Sequence, residues 1–420
     1  MHAISRARLA PALALALLTT ALAGRAEDLP LSAPGSATLD RHALIRAVLA
    51  RSPSALAAES ALRGAEARAS AAGSLADPML RAALAPQSLW RGPRTGYGFE
   101  VAQPLLAWGK RGLARSAARH DADATRFELA AMRLDLAAAA SQLYDEAYLT
   151  QRALGLNAAN RALVEELRET ALARYETGAA PRQAPLAAEL EAARLEHRAI
   201  GLRTQQRVTL AQLNALLHRE PGAALPALPE SFAPAEVVSR SSEPPALRAG
   251  AARAEARAAE AALARRARIP DLTLMGGYDA MWDEREMRPM LGVEIELPFA
   301  RARRHAEIAE ADAQRENAAH ELARAQSENA LAVAIARERL AEAEHGLRIV
   351  REQILPAARD QFEAASAALA SGRGEFTDAI EAERAWYEAE FEAAEALVAL
   401  SRVAAELNRA LGTSGVEDAQ

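Results

Sequence analysis

Cysteine is absent from all 420 residues, which excludes a disulfide scaffold, a cysteine-ligated metal site and a thiol nucleophile. A lipid anchor on cysteine is excluded with them. Lysine is nearly absent as well: Lys110 stands alone, and arginine carries the remaining positive charge. At a formal charge of −6 there is no basic face to collect phosphates, so no nucleic-acid partner is expected. Aromatic residues are only 4% of a chain that is 50% hydrophobic, because alanine and leucine supply the apolar fraction. Alanine has the best helix propensity, so long, closely packed helices are expected in place of a globule around an aromatic core.

Long apolar runs are missing too, and none reaches the roughly 20 residues of a spanning helix. The run Leu9–Leu18 follows Arg6 and Arg8 and precedes the small residues of Ala21-Leu22-Ala23 and Gly24-Arg25-Ala26. That is the pattern of a secretory signal peptide over residues 1–26. Its removal takes away three arginines and no acid, moving the charge from −6 to −9.

Catalytic signatures are equally scarce. The eight histidines are scattered, without a His-Glu-x-x-His pair. Gly96-Tyr97-Gly98 lies in a strand-like run, and Gly109-Lys110 lacks the preceding glycine and the hydroxyl residue of a phosphate loop. Asp121-Ala122-Asp123 lacks the glycine and terminal glutamate of a calcium loop. No catalytic residue, cofactor or metal site is expected, and the chain does not read as an enzyme.

What is present is a repeat. Pro104 and Pro298, Gly178 and Gly372, Glu189 and Glu383, Leu213-Asn214 and Leu407-Asn408, and Leu217 and Leu411 all match at an offset of 194 residues. Residues 27–231 form the first copy and 246–412 the second, joined by a Pro/Ser-rich linker at 232–245 and followed by a tail at 413–420. Each copy reads as helix, two strands, a very long helix, a tight turn and a returning helix. The expected helices are about 40–72, 108–175 and 182–218, then 246–268, 300–370 and 375–411. Ser52-Pro53 is a break signal in the first, and Pro356 should kink the fifth or change its packing. Leu397, Leu400, Ala404, Leu407 and Leu411 step by threes and fours, the spacing of coiled-coil packing.

Four strands are expected near 79–86, 96–103, 271–279 and 290–297. Tyr97, Phe99 and Val101 share one face, as do Leu272 and Leu274, and Leu291, Val293 and Ile295, while glycines and acids such as Glu100, Glu294 and Glu296 alternate with them. Apolar outside with small and acidic residues inside fits the wall of a transmembrane barrel, and it equally fits an amphipathic sheet packed on helices. Four strands cannot close a barrel, and an open edge is forbidden in lipid, so the first alternative requires several chains in one barrel.

The turn stretches Ala173-Arg174-Tyr175-Glu176-Thr177-Gly178-Ala179-Ala180 and Ser371-Gly372-Arg373-Gly374-Glu375-Phe376-Thr377-Asp378 resemble the periplasmic tips of TolC-type outer-membrane efflux proteins. Glu406-Leu407-Asn408-Arg409-Ala410-Leu411-Gly412 resembles the family's last helix end, and the second turn is most similar to the branch serving heavy-metal exporters. The resemblance spans nearly the whole mature chain. It implies a mainly helical homotrimer: a periplasmic α-helical tunnel joined to a shared 12-stranded β-barrel in the outer membrane. A periplasmic adaptor and an inner-membrane pump of the resistance-nodulation-division type are the implied partners, and metal cations or drugs the implied cargo.

By the same resemblance Tyr175, Gly178, Gly372 and Gly374 mark the tip turns, and Asp378 and Glu381 form acidic rings at the entrance. The plain alternative is two solvated acids on a charged helix. Trp90 and Trp282, in outward loops near 87–94 and 279–288, become interfacial anchors. The first copy departs from the family at Ala184, where an acid is often found, and the second at Gly374, where a base is expected. The competing class is a soluble periplasmic coiled-coil adaptor or scaffold protein of an export complex.

Overall fold

The structure, a computed structural model, describes residues 38–85, 96–238, 243–280, 282 and 284–413. The expected signal segment, Trp90 and the 87–94 loop lie outside the described residues. Helix α1 (Arg41–Arg51) is capped by Asp40, whose carboxylate accepts from the Ala43 amide at 2.8 Å. Pro53 opens α2 (Pro53–Ala71), so the predicted single helix is two, separated at Ser52. Strands β1 (Met79–Leu84) and β2 (Tyr97–Leu105) follow, then α3 (Lys110–Glu176) and α4 (Gln183–Leu216). The second copy supplies α5 (Pro245–Arg266), β3 (Asp271–Asp279), β4 (Pro289–Glu296), α6 (Arg301–Ile349), α7 (Leu355–Ala370) and α8 (Phe376–Ala410).

At 67 residues, α3 is about 100 Å long. No single neighbour could cover it. The short helices α2 and α5 flank the part that leaves the sheet, and α4 and α8 run along the remainder. Alanine makes the close approach possible: Ala65 and Ala69 of α2 meet Ala122 of α3 with almost no side-chain bulk between them.

Between α6 and α7, residues 350–354 form a π-helical turn, in which Leu355 donates to the Val350 carbonyl. Pro356 explains it. Proline has no amide to donate and its ring crowds the carbonyl four residues back, so the backbone takes one extra residue into the turn. The buried seam accordingly steps from Leu347 and Val350 to Leu369 with a jump at the π-turn.

The two copies come together at mid-height, around Arg41. Its guanidinium donates to Ser141 of α3 at 2.8 Å, to Ser401 of α8 at 2.9 Å and to the Ala233 carbonyl of the linker at 3.1 Å. It also pairs with Asp145 at 2.7 Å and lies 4.8 Å above the Tyr144 ring and 5.1 Å above that of Phe232. Burial pushes the Asp145 carboxyl above its ordinary range, with Arg41 pulling the other way. A charge left there without its partner is costly. Arg41→Ala is therefore expected to lower stability by about 3–5 kcal/mol in chemical denaturation, and a loss below about 1 kcal/mol would mean the network does not join the copies.

Candidate functional site: a one-sided sheet and paired glycine turns

The four strands form one antiparallel sheet in the order β1-β2-β3-β4. Directly paired residues share a face, so the register sorts every side chain. Leu80, Val101, Gly276 and Leu291 make one cross-strand row. Ala82, Phe99 and Tyr278 make the next, with the two rings stacked at 5.9 Å. Leu274 pairs with Val293, and Leu272 with Ile295. All eight residues predicted for the apolar face, Tyr97, Phe99, Val101, Leu272, Leu274, Leu291, Val293 and Ile295, are thus brought together on one side. All are exposed, Leu291 to 95%.

Sequence alternation was weakest in β1, yet register adds exposed Leu80 and Leu84 to the same face. The other face carries Arg81 and Glu100, 3.3 Å apart, with Thr273, Glu294, Asp271 and Glu296. Gly277 pairs with Glu100 there, and a Cβ on it would stand 2.6 Å from the Phe99 carbonyl, so the close approach of β2 and β3 needs glycine. Strands β1 and β4 are each paired on one side only.

Where the sheet joins the helices, the sole lysine finds its use. Lys110 donates to Asp271 at 2.9 and 3.0 Å and to the Ile269 carbonyl at 2.7 Å, and Asp271 also accepts the Ala107 amide at 2.7 Å. This clamps the start of α3 to the start of β3, one copy to the other. Beside it Trp108 is 94% exposed and Phe299 82% exposed, two aromatic residues that the strand pattern did not single out. Trp282 is exposed in the β3–β4 loop.

At the far end, α3 turns into α4 and α7 into α8 by one shared geometry. Gly178 has φ 74° and Gly372 φ 72°, the left-handed region that closes a helix. The Ala179 and Ala180 amides donate to the Arg174 carbonyl, as those of Arg373 and Gly374 do to the Ala368 carbonyl. The same echo occurs at the opposite ends of α4 and α8, where His218 (φ 53°) takes the left-handed position that Gly412 (φ 77°) takes in the second copy. The tips pack on each other through Ala171, Ala184, Ala188, Leu369, Phe376, Ala379 and Ile380. Arg174 of one turn donates to the Leu369 carbonyl of the other at 2.8 Å, and Tyr175 is exposed beside it.

Asp378 and Glu381 lie on the exposed face of the first turns of α8, while Ala379, Ile380, Ala382 and Glu383 face inward. Asp378 is also where a carboxylate favours the helix N-terminus, which is the plain structural reason for it. Its first-copy equivalent, Ala184, is buried in the tip core, where a carboxylate would be costly. Sequence reasoning missed the neighbouring cluster. Glu191 is bonded by Arg384 and by Arg194 (3.3 Å), and Glu383, 1% exposed, is pushed up to about 8 by burial and then by Glu191, against the pull of Arg384. Nothing in the alternation of charge along these helices marks which carboxylate is buried.

Among the described residues no three His, Asp or Glu side chains gather as metal ligands, and no helix is long and apolar enough to cross a membrane. The fold is that of solved outer-membrane channels. VceC of Vibrio cholerae superposes with a TM-score of 0.76 at 21% identity, covering 89% of this chain and 96% of its own. CusC, whose structures are described in terms of transmembrane channel formation, gives 0.75 at 16% identity, with 89% and 92% covered. The open state of the MtrE outer-membrane channel of Neisseria gonorrhoeae gives 0.71 at 18% identity, with 90% of each covered. Residues 241–413 match the family described as Outer membrane efflux protein, so the resemblance read from the turns is borne out. No curated protein matches the chain by sequence.

The two second-turn glycines should fail differently. Gly372→Ala meets open space and suffers only the left-handed backbone, about 1–2 kcal/mol. Gly374→Ala has no such φ but places its Cβ 2.9 Å from that of Ala368. That Cβ also stands 3.0 Å from the Ala368 carbonyl carbon and the Leu369 amide nitrogen, so melting curves should show the first loss unchanged when Ala368 is also trimmed to Gly, and the second only partly relieved.

Proposed function

We propose that this protein is the outer-membrane exit duct of a tripartite efflux pump, passively conducting its cargo from the periplasm to the cell exterior. The single observation carrying this reading is the uncovered apolar face of a sheet whose two edges are unpaired. In water such a face and such edges invite aggregation. In lipid the face is satisfied at once, and the edges are satisfied when β1 of one copy pairs with β4 of the next. Three copies in a ring give a 12-stranded barrel, with Glu100, Glu294 and Glu296 lining the lumen. The long helices continue that lumen as a tunnel through the periplasm, and the glycine turns face an adaptor and an inner-membrane pump of the resistance-nodulation-division type. Trp108, Phe299 and Trp282 suit the membrane–water boundaries. The wording of the second turn favours metal cations over drugs as cargo. A soluble adaptor is the weaker reading, since it leaves Leu291 and its row bare to water.

Two tests follow from the two ends of the molecule. Leu291→Arg at the lipid face should cost about 2–4 kcal/mol of membrane stability and reduce the heat-sensitive trimer on gels, whereas Glu294→Arg on the opposite face should leave the trimer intact. If both leave it intact, the apolar face does not meet lipid. At the tip, Asp378→Asn with Glu381→Gln should lower cation preference in planar-bilayer recordings, because threefold rings of carboxylate attract cations. Unchanged selectivity would return both residues to the role of solvated helix acids.

A further inference from the structure

The two returning helices meet at a pair of carboxyl groups that no part of the duct reading uses. Glu383 of α8 is buried, and its Oε2 has no hydrogen-bond partner. Glu191 of α4 is nearly as buried and is held by Arg384 of α8 and Arg194 of its own helix. The charged groups acting on Glu383 are therefore Glu191 from α4 and Arg384 from α8. On the neighbouring helices, the exposed pairs Arg168–Glu165 of α3 (2.7 Å) and Arg359–Glu363 of α7 (2.9 Å) are closed on themselves, and the charges that act on Glu383 remain Glu191 and Arg384. On the Glu191 side of the pair opens a cleft of about 590 Å³ lined by Asn160, Glu191, Arg194, Arg198, Arg384 and Tyr387, among others. Asn160 is itself buried there with an unpartnered Oδ1. An open cleft of this size, with charged side chains in its lining, admits water, which can hydrate a carboxylate once the helices part.

We propose that Glu191 and Glu383 form a protonation-controlled latch: α4 and α8 stay packed while Glu383 is a neutral acid, and its ionisation drives them apart. Arg384 is already committed to Glu191, so a second negative charge at Glu383 has no partner and repels the first. Outward movement toward the cleft relieves both the repulsion and the desolvation. The sign follows from the raised pKa. Between about 4.5 and 8 the packed form keeps a proton that an opened or unfolded form gives up, so packing weakens as pH rises through that window, and the full cost is reached above about 8. If the duct reading holds, the latch adjoins the tunnel entrance, but its test is independent of conduction.

The test is amide hydrogen exchange on the full-length protein in detergent over a pH series from 6 to 9, corrected for the intrinsic rate. Protection across residues 188–200 and 380–390 should fall at least about tenfold in the wild type and stay level in Glu383→Gln, which mimics the neutral acid. Glu191→Gln removes the repelling neighbour, so the pH midpoint should move down. A merely structural pair would not shift that midpoint. Equal pH dependence in the wild type and Glu383→Gln, or an unmoved midpoint in Glu191→Gln, overturns the latch.

Discussion

A backbone amide or carbonyl at a sheet edge must find a partner, and this requirement governs the molecule more than any side-chain contact does. Within one chain β1 and β4 end the sheet with their outer edges open, and nothing among the described residues folds over them. A protein can cover such edges with a helix, but here the helices that adjoin the sheet, α2, α3, α5 and α6, meet it at their ends. Its helices satisfy their interior backbone groups internally, whereas the sheet leaves the outer edges of β1 and β4 open.

The repeat explains how one sector acquires matched parts. Left-handed turns, amide-to-carbonyl closures and helix-end asparagines recur at the same offset, so copying the sequence copied the backbone solution. Asn214 donates to the Pro221 and Ala223 carbonyls, fastening the end of α4 to the segment beyond, and Asn408 donates to the Glu236 carbonyl, fastening the end of α8 to the linker. Where the copies touch, the sequences diverge. Arg41, Lys110 and Arg174 each reach from the first copy into the second, and none has a mirrored contact reaching back.

Much of this was legible because it depends on local rules. Alternation in Leu291, Val293 and Ile295 names a face without knowledge of any neighbour, and Gly178 and Gly372 name turns because only their backbone conformation matters. Pro356 foretold an irregularity, although not that it would be a π-turn. What depends on distant partners was not legible. Leu80 joins the apolar face only through its pairing with Val101, and Trp108 stands exposed only through its place where the sheet meets the helices. Glu189 and Glu383 match in the repeat, yet the first is exposed and the second is buried, because the two copies present that position to different neighbours.

The π-turn adds a second difference between the copies, within the backbone. An added residue in one turn rotates everything beyond it by roughly 100° relative to an uninterrupted helix. The uninterrupted α3 can therefore sit at the centre of the bundle, touching α4 and α8 along its distal half, while α7 keeps most of its surface outward. Two long helical arms at matched positions thus differ in their surroundings, one with buried residues along its length and the other largely exposed.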